Sequence, residues 1–137
     1  MSVQTMNNGL LTMLERFGVD VPTRSRIKQF AIGTGQADPT VSDTDLTTKV
    51  LFNTTEGFYK DFDSISLDSA KKELTLRGTV ADTECNGASI NASAASNTDT
   101  TPLQAFAGTI TAIDKTTSKR VIVIFRVRLR TEIEVTE

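Results

Sequence analysis

The sequence predicts an all-β protein: an antiparallel, jelly-roll-like β-sandwich with one short N-terminal α-helix and a long polar loop. Three observations predict it. Residues 120–137, RVIVIFRVRLRTEIEVTE, alternate with a period of two. Their odd positions from Val121 to Val135 are mostly apolar, whereas the even ones carry Arg120, Arg126, Arg128, Arg130, Glu132 and Glu134. Successive side chains of a strand point to opposite faces, so one face of this segment is expected to be buried, with Phe125 inside and the arginines outside. Shorter apolar runs, broken by Gly, Asn, Asp and Pro, supply further strands. Apolar side chains recur at helical spacing near the N-terminus, where they predict the one helix.

In chain order, Leu10, Leu11, Met13, Leu14 and Phe17 share one face of a helix predicted over residues 8–17. Asn7 or Asn8 is placed to cap it and Gly18 to stop it, before Pro22 rules out continuation. This helix either packs on the sheets, covering an open end, or offers its apolar face to a neighbouring subunit. Residues 26–32 read as the first strand, ended by Gly33-Thr34-Gly35. A lone GxG with Pro39 following is a turn rather than a dinucleotide loop, which needs a third glycine opening a helix. Asp38, Asp43 and Asp45 lack the spacing of a calcium loop and read as a solvated acidic turn.

Residues 47–52 form a second predicted strand and 58–67 a third, where Phe58, Phe62 and Leu67 break parity and predict a bulge or bend. Residues 73–81 pair back on it as a hairpin. Residues 82–102, DTECNGASINASAASNTDTTP, are small, polar and nearly uncharged, with Ile90 the one sizeable aliphatic. Such a stretch buries too little of its own surface to offset chain entropy, so it is expected to project as a loop. Residues 103–113 return as a strand, and 114–119 turn into the final one.

The chain of 137 residues fits one domain, with residues 1–22 as its arm and helix. Net charge is −2, from 15 basic and 17 acidic residues, which gives no field steering the chain to nucleic acid. One cysteine, Cys85, and the absence of histidine remove a disulfide framework, the usual zinc sites and the commonest general base. Neither a signal peptide nor a membrane span is expected, and no cofactor, metal or catalytic residue is predicted.

Several stretches resemble a known group of proteins when taken in order. Asn8-Gly9-Leu10-Leu11 in the helix precedes Ile27-Lys28-Gln29-Phe30-Ala31-Ile32-Gly33-Thr34-Gly35, then Pro39 and Asp43-Thr44-Asp45-Leu46. Residues 112–120, AIDKTTSKR, lead into the last strand. Together they are similar to the small β-sandwich structural proteins of tailed bacteriophages, of the tail-fibre, tail-collar or minor virion type. The middle of the chain departs from that pattern, with Glu84-Cys85-Asn86-Gly87-Ala88 and the small-residue segment in place of a Glu-Ile-Gly-Leu-like stretch and a short loop.

The resemblance implies a non-enzymatic virion protein, assembled in the host bacterial cytoplasm as a tail, neck or fibre-attachment component. Its implied partners are other virion proteins (tail, portal or neck, capsid) and copies of itself, with a trimer or higher ring as the first expectation. Capsid decoration is the alternative, and a carbohydrate-binding β-sandwich is one from another class. Neither nucleic acid nor a membrane is an expected partner. The candidate contact residues are Leu10, Leu14 and Phe17 on the helix, Ile90 in the projecting loop, and Arg126, Arg128 and Arg130 on the last strand. The arginine row is expected to stand on a solvated face, to pair across strands with acids such as Asp61 and Asp63, or to dock on an acidic neighbour.

Overall fold

A computed structural model describes residues 2–98, 101–128 and 135–136, and it is an antiparallel β-sandwich of two unequal sheets. The elements are β1 (Ser2–Thr5), α1 (Asn7–Gly18), β2 (Ile27–Gly33), β3 (Lys49–Val50), β4 (Lys60–Asp61), β5 (Ser64–Asp68), β6 (Glu73–Val80), β7 (Ser89–Asn97), β8 (Gln104–Asp114) and β9 (Val121–Arg128). The large sheet runs β1-β8-β7-β2-β3, with β4 also on β2, and the small sheet runs β5-β6-β9. The predicted third strand divides at its parity break. β4 pairs with β2, Phe62 enters the core, and β5 pairs with β6 in the other sheet.

The period of two in the last strand sets its faces as expected. Phe125 is buried between the sheets, while Arg126 and Arg128 are exposed on the outer face with Ile122 and Ile124. Leu129 and Arg130 lie outside the described residues. The centre of the core is aromatic: Phe30 stacks on Phe62 at 5.1 Å and meets Phe52 edge-on at 5.3 Å, and Phe62 meets Phe125 at 6.3 Å. Such pairs add to the apolar area that they bury.

The expected projecting loop contains a central strand of the large sheet. Residues 89–97 form β7, paired with β8 on one side and β2 on the other, and Ile90 is core at 2% exposure. Neighbours supply the bulk that the segment lacks. Ala95 stands in register with Phe30 on one side and Phe106 on the other, so a small residue fits between two rings. On the opposite face Ala92, Ala94, Ala31 and Ala107 make a low surface, and Leu46, from the segment between β2 and β3, packs there with Met6. That segment is tied down by the Asn91 side chain, whose Oδ1 accepts from the Gln36 N–H at 3.0 Å and whose Nδ2 donates to Gln36 O at 2.9 Å. Asp38 accepts from the Thr109 hydroxyl at 2.6 Å, and Gln104 N–H donates to Thr44 O at 2.9 Å. Within β7, Asn91, the Ser93 hydroxyl donating to Ala31 O and Asn97 accepting from the Leu103 N–H thus find partners in the fold, as buried polar groups generally do.

Of the two placements the sequence leaves open for the helix, its apolar side packed on the sheets or turned outward, the structure has the second: Asn8, Gly9 and Thr12 are the buried residues, against β8. Gly9 permits the contact: a Cβ there would lie 2.4 Å from the Ala105 carbonyl oxygen. Asn8 Nδ2 donates to Leu103 O at 3.2 Å, and the Thr12 hydroxyl donates back to Asn8 O. Asn8 is thus spent on β8 rather than on a cap, and Met6 holds the N-cap position without a side-chain bond. Gly18 is the last helical residue, and the Val19 N–H donating to Glu15 O closes the final turn.

Two exposed loops are fastened by carboxylates, which makes the fold acid-sensitive. Glu15 accepts from the Arg24 N–H, the Thr23 hydroxyl and the Arg24 guanidinium; the backbone bond does most to hold its carboxyl below the ordinary value. Asp43 is lowered in the same way, first by the Thr40 N–H and then by the Thr40 hydroxyl. A depressed folded-state pKa contributes stability that is present above the unfolded value and lost as pH falls through the folded one. Urea denaturation is expected to show stability dropping below about pH 4, with Glu15→Gln plus Asp43→Asn flattening that slope. An unchanged slope in the double variant would refute the assignment.

Candidate interaction surfaces

Because α1 turns its small polar face to β8, its apolar face is left open. Leu10 is 47% exposed, Leu14 65% and Phe17 89%, and Leu11 and Val21 are exposed beside them. Single exposed apolar residues are ordinary on a protein surface; a contiguous row on one helix marks a contact site.

Next to this face the sandwich is open. An apolar cleft of about 720 Å³ lies between α1 and the inner side of the small sheet. Met13 and Phe17 line it from the helix, and Ile65, Leu67, Leu74 and Val127 from the sheet. β5 is the edge strand here, and all five of its residues are exposed, Leu67 by 72%. Arg16, Arg26 and Lys72 also line the cleft, and no acidic residue does among the described residues. Sequence reasoning missed this site. The alternation of Ile65 and Leu67 was its one signal, and only the pairing of sheets shows that none of the described residues covers them.

The arginine row has an internal partner that the sequence did not show. Arg128 opposes Glu73 in the β6–β9 register and donates from Nε to its carboxylate at 2.7 Å; Arg126 Nε approaches the other oxygen at 3.8 Å. Glu73 is buried beneath the two guanidinium groups. The expected acids are engaged elsewhere: Asp61 faces Lys28 at 3.5 Å, and Asp63 accepts from the Thr79 hydroxyl. Of the predicted contact residues, then, Leu10, Leu14 and Phe17 form one open surface and Arg126 and Arg128 a partly neutralised one. Ile90 belongs to the core, and Arg130 lies outside the described residues.

The remaining reactive groups are held in structural roles. Burial, reinforced by Glu84, pushes the Cys85 thiol up to about 11, so it is a thiol and not a thiolate near neutral pH. Burial and a hydrogen bond to Asp45 hold the Tyr59 phenol well above its ordinary value. Lys60 lies 2.7 Å from Glu84, which also accepts from the Ala81 N–H. Among the described residues no group of three or more His, Cys, Asp or Glu could hold a metal ion, and no helix is long and apolar enough to cross a membrane. No protein-family model, curated protein or solved structure matches the chain.

Proposed function

We propose that this chain is a non-enzymatic structural subunit of a tailed-bacteriophage virion, a tail, neck or fibre-attachment component that works by assembling with copies of itself and with other virion proteins. The observation that carries the reading is the open apolar face of α1, where Leu10, Leu14 and Phe17 stand exposed although the helix is firmly seated through its other side. A helix so seated is available for docking without any part of the fold having to open. The resemblance in residues 8–11, 27–35 and 112–120 supplies the virion setting. Closed symmetric assemblies are the common outcome for such subunits, and repeated copies add avidity.

The test is the solution mass of the purified protein by light scattering across a concentration series, with imaging of virions that contain and lack it. The wild-type chain is expected to exceed monomer mass, as a trimer or ring. Leu14→Asp with Phe17→Asp is expected to return it to monomer with an unchanged circular dichroism spectrum. A wild-type chain that stays monomeric at high concentration, with no copy beside another in virions, overturns the reading. Density at the capsid surface would instead make the chain a decoration protein.

A further inference from the structure

We infer that the cleft between α1 and the small sheet receives residues 131–137 of a second copy of this chain; the inference rests on the assembly reading above and names the occupant of the surface beside the helix face. The cleft has an apolar floor, made by Met13, Ile27, Leu74 and Val127, and a cationic rim, made by Arg16, Arg26 and Lys72. No ion pair engages those three cations among the described residues. Its volume of about 720 Å³ is within the range of small-molecule sites, room for the side chains on one side of a short extended segment. The occupant must therefore be narrow, apolar on one side and anionic on the other.

Residues 131–137, TEIEVTE, have that composition. In an extended chain Ile133 and Val135 share one side, and Glu132 and Glu134 the other. Lying in the cleft, the segment would set its two aliphatic residues on the floor and its glutamates among the arginines and lysine of the rim. Arginine pairs with carboxylate through two parallel hydrogen bonds, which fixes position as well as sign. Val135, one of the two aliphatic residues, is 87% exposed, so within a single copy it is unburied and available to a neighbour. The contact is head-to-tail, cleft against terminal segment. Such heterologous contacts generate rings when the rotation closes and filaments when it does not.

The test uses two full-length charge-reversed variants. One carries Arg26→Glu with Lys72→Glu in the rim; the other carries Glu132→Lys with Glu134→Lys in the segment. All four positions are away from the core or outside the described residues, and circular dichroism checks that both variants fold. Each variant alone is expected to need at least tenfold more protein than wild type to assemble, in sedimentation or light scattering. A chain carrying all four reversals is expected to restore assembly, because the reversed rim of each copy accepts the reversed segment of the next. An equimolar mixture of the two variants restores it where the two can alternate, as in rings with an even number of copies. If each variant alone assembles like wild type, the inference is overturned; the assembly reading survives if Leu14→Asp with Phe17→Asp still disperses the copies, and falls with it if nothing assembles. If a spin label at residue 136 broadens the Lys72 signal of its own copy and not that of an unlabelled copy mixed with it, the segment folds onto its own copy, and a second copy is the wrong occupant. If one variant fails to fold, a synthetic TEIEVTE peptide titrated into the wild-type chain decides. Perturbed signals at Ile65, Leu67 and Lys72 are expected, and their absence refutes the inference.

Discussion

Truncating Phe30 to alanine is expected to cost about 3–5 kcal/mol of folding stability, and adding a single methyl at Gly78 about 1–3 kcal/mol. The two effects are expected not to add. Gly78 lies on the inner face of β6 between Leu76 and Val80, and the edge of the Phe30 ring occupies the space that a side chain would fill. A Cβ there would meet Phe30 Cε1 at 2.4 Å, Cζ at 2.7 Å and Cδ1 at 2.8 Å. The ring has little freedom to yield, because Phe62 is stacked on it and Phe52 abuts it. Phe30→Ala leaves a cavity at that spot, and Gly78→Ala then places its methyl in empty space. The double variant should recover roughly 1 kcal/mol or more relative to the sum, as expected for residues in direct contact. Urea denaturation of the wild-type chain, both single variants and the double gives the coupling directly. Additive costs would show that the glycine is not there to make room for the ring.

Replacing Lys115 with methionine is expected to cost about 3 kcal/mol, an unusual loss for removal of a lysine charge. Lys115 is almost wholly buried, and its ammonium group donates to Asp82 O at 3.1 Å, Asn86 Oδ1 at 2.9 Å and Thr116 O at 3.0 Å. An ammonium has three N–H bonds, so its capacity is filled. Its backbone is engaged too, with the N–H donating to Ala88 O and the carbonyl accepting from the Gly87 N–H, each at 2.9 Å. The turn it braces contains Cys85 at φ 56° and Gly87 at φ 85°, and for cysteine that left-handed conformation costs about 1–2 kcal/mol. Methionine keeps the aliphatic packing and loses only the bonds. Three charge-assisted bonds at about 1.5–3 kcal/mol each bound the loss from above; water replaces part of it, since Asp82 and Thr116 lie at the surface. Hydrogen exchange should locate the damage, with faster exchange at Gly87 and Ala88 than at the centre of β6. Wild-type stability in the methionine variant would show that the turn holds without its brace.

The sequence made some features legible and hid others for physical reasons. The register of β9 was legible because a period of two, once one face is buried, leaves only one way to place the strand. The break between β4 and β5 was signalled by the parity change at Phe62. The strand β7 was not legible, because weighing a segment by its own side chains ignores what its neighbours bring: Ala95 is a poor core residue until Phe30 and Phe106 stand on either side. The helix was legible as a helix, but its facing was left between two alternatives. Amphipathic patterning assumes that the apolar side goes inward, and here a close backbone approach at Gly9 competes with it and wins. Glu73 could not have been matched to Arg126 and Arg128 from spacing alone, because only strand pairing brings residues so far apart in the chain together.

The way α1 is fastened has a consequence for how this surface can change. Asn8, Gly9 and Thr12 do the anchoring, and none of them belongs to the outward row of Leu10, Leu14 and Phe17. Substitutions at solvent-facing helix positions usually change stability by only tenths of a kcal/mol, about 0.5 at most. The outward row can therefore drift through many side chains while the sandwich beneath it stays the same. Lineages that share this fold could diverge in what they attach to by rewriting a few helical positions, and a foreign binding motif placed there would inherit a scaffold indifferent to its identity.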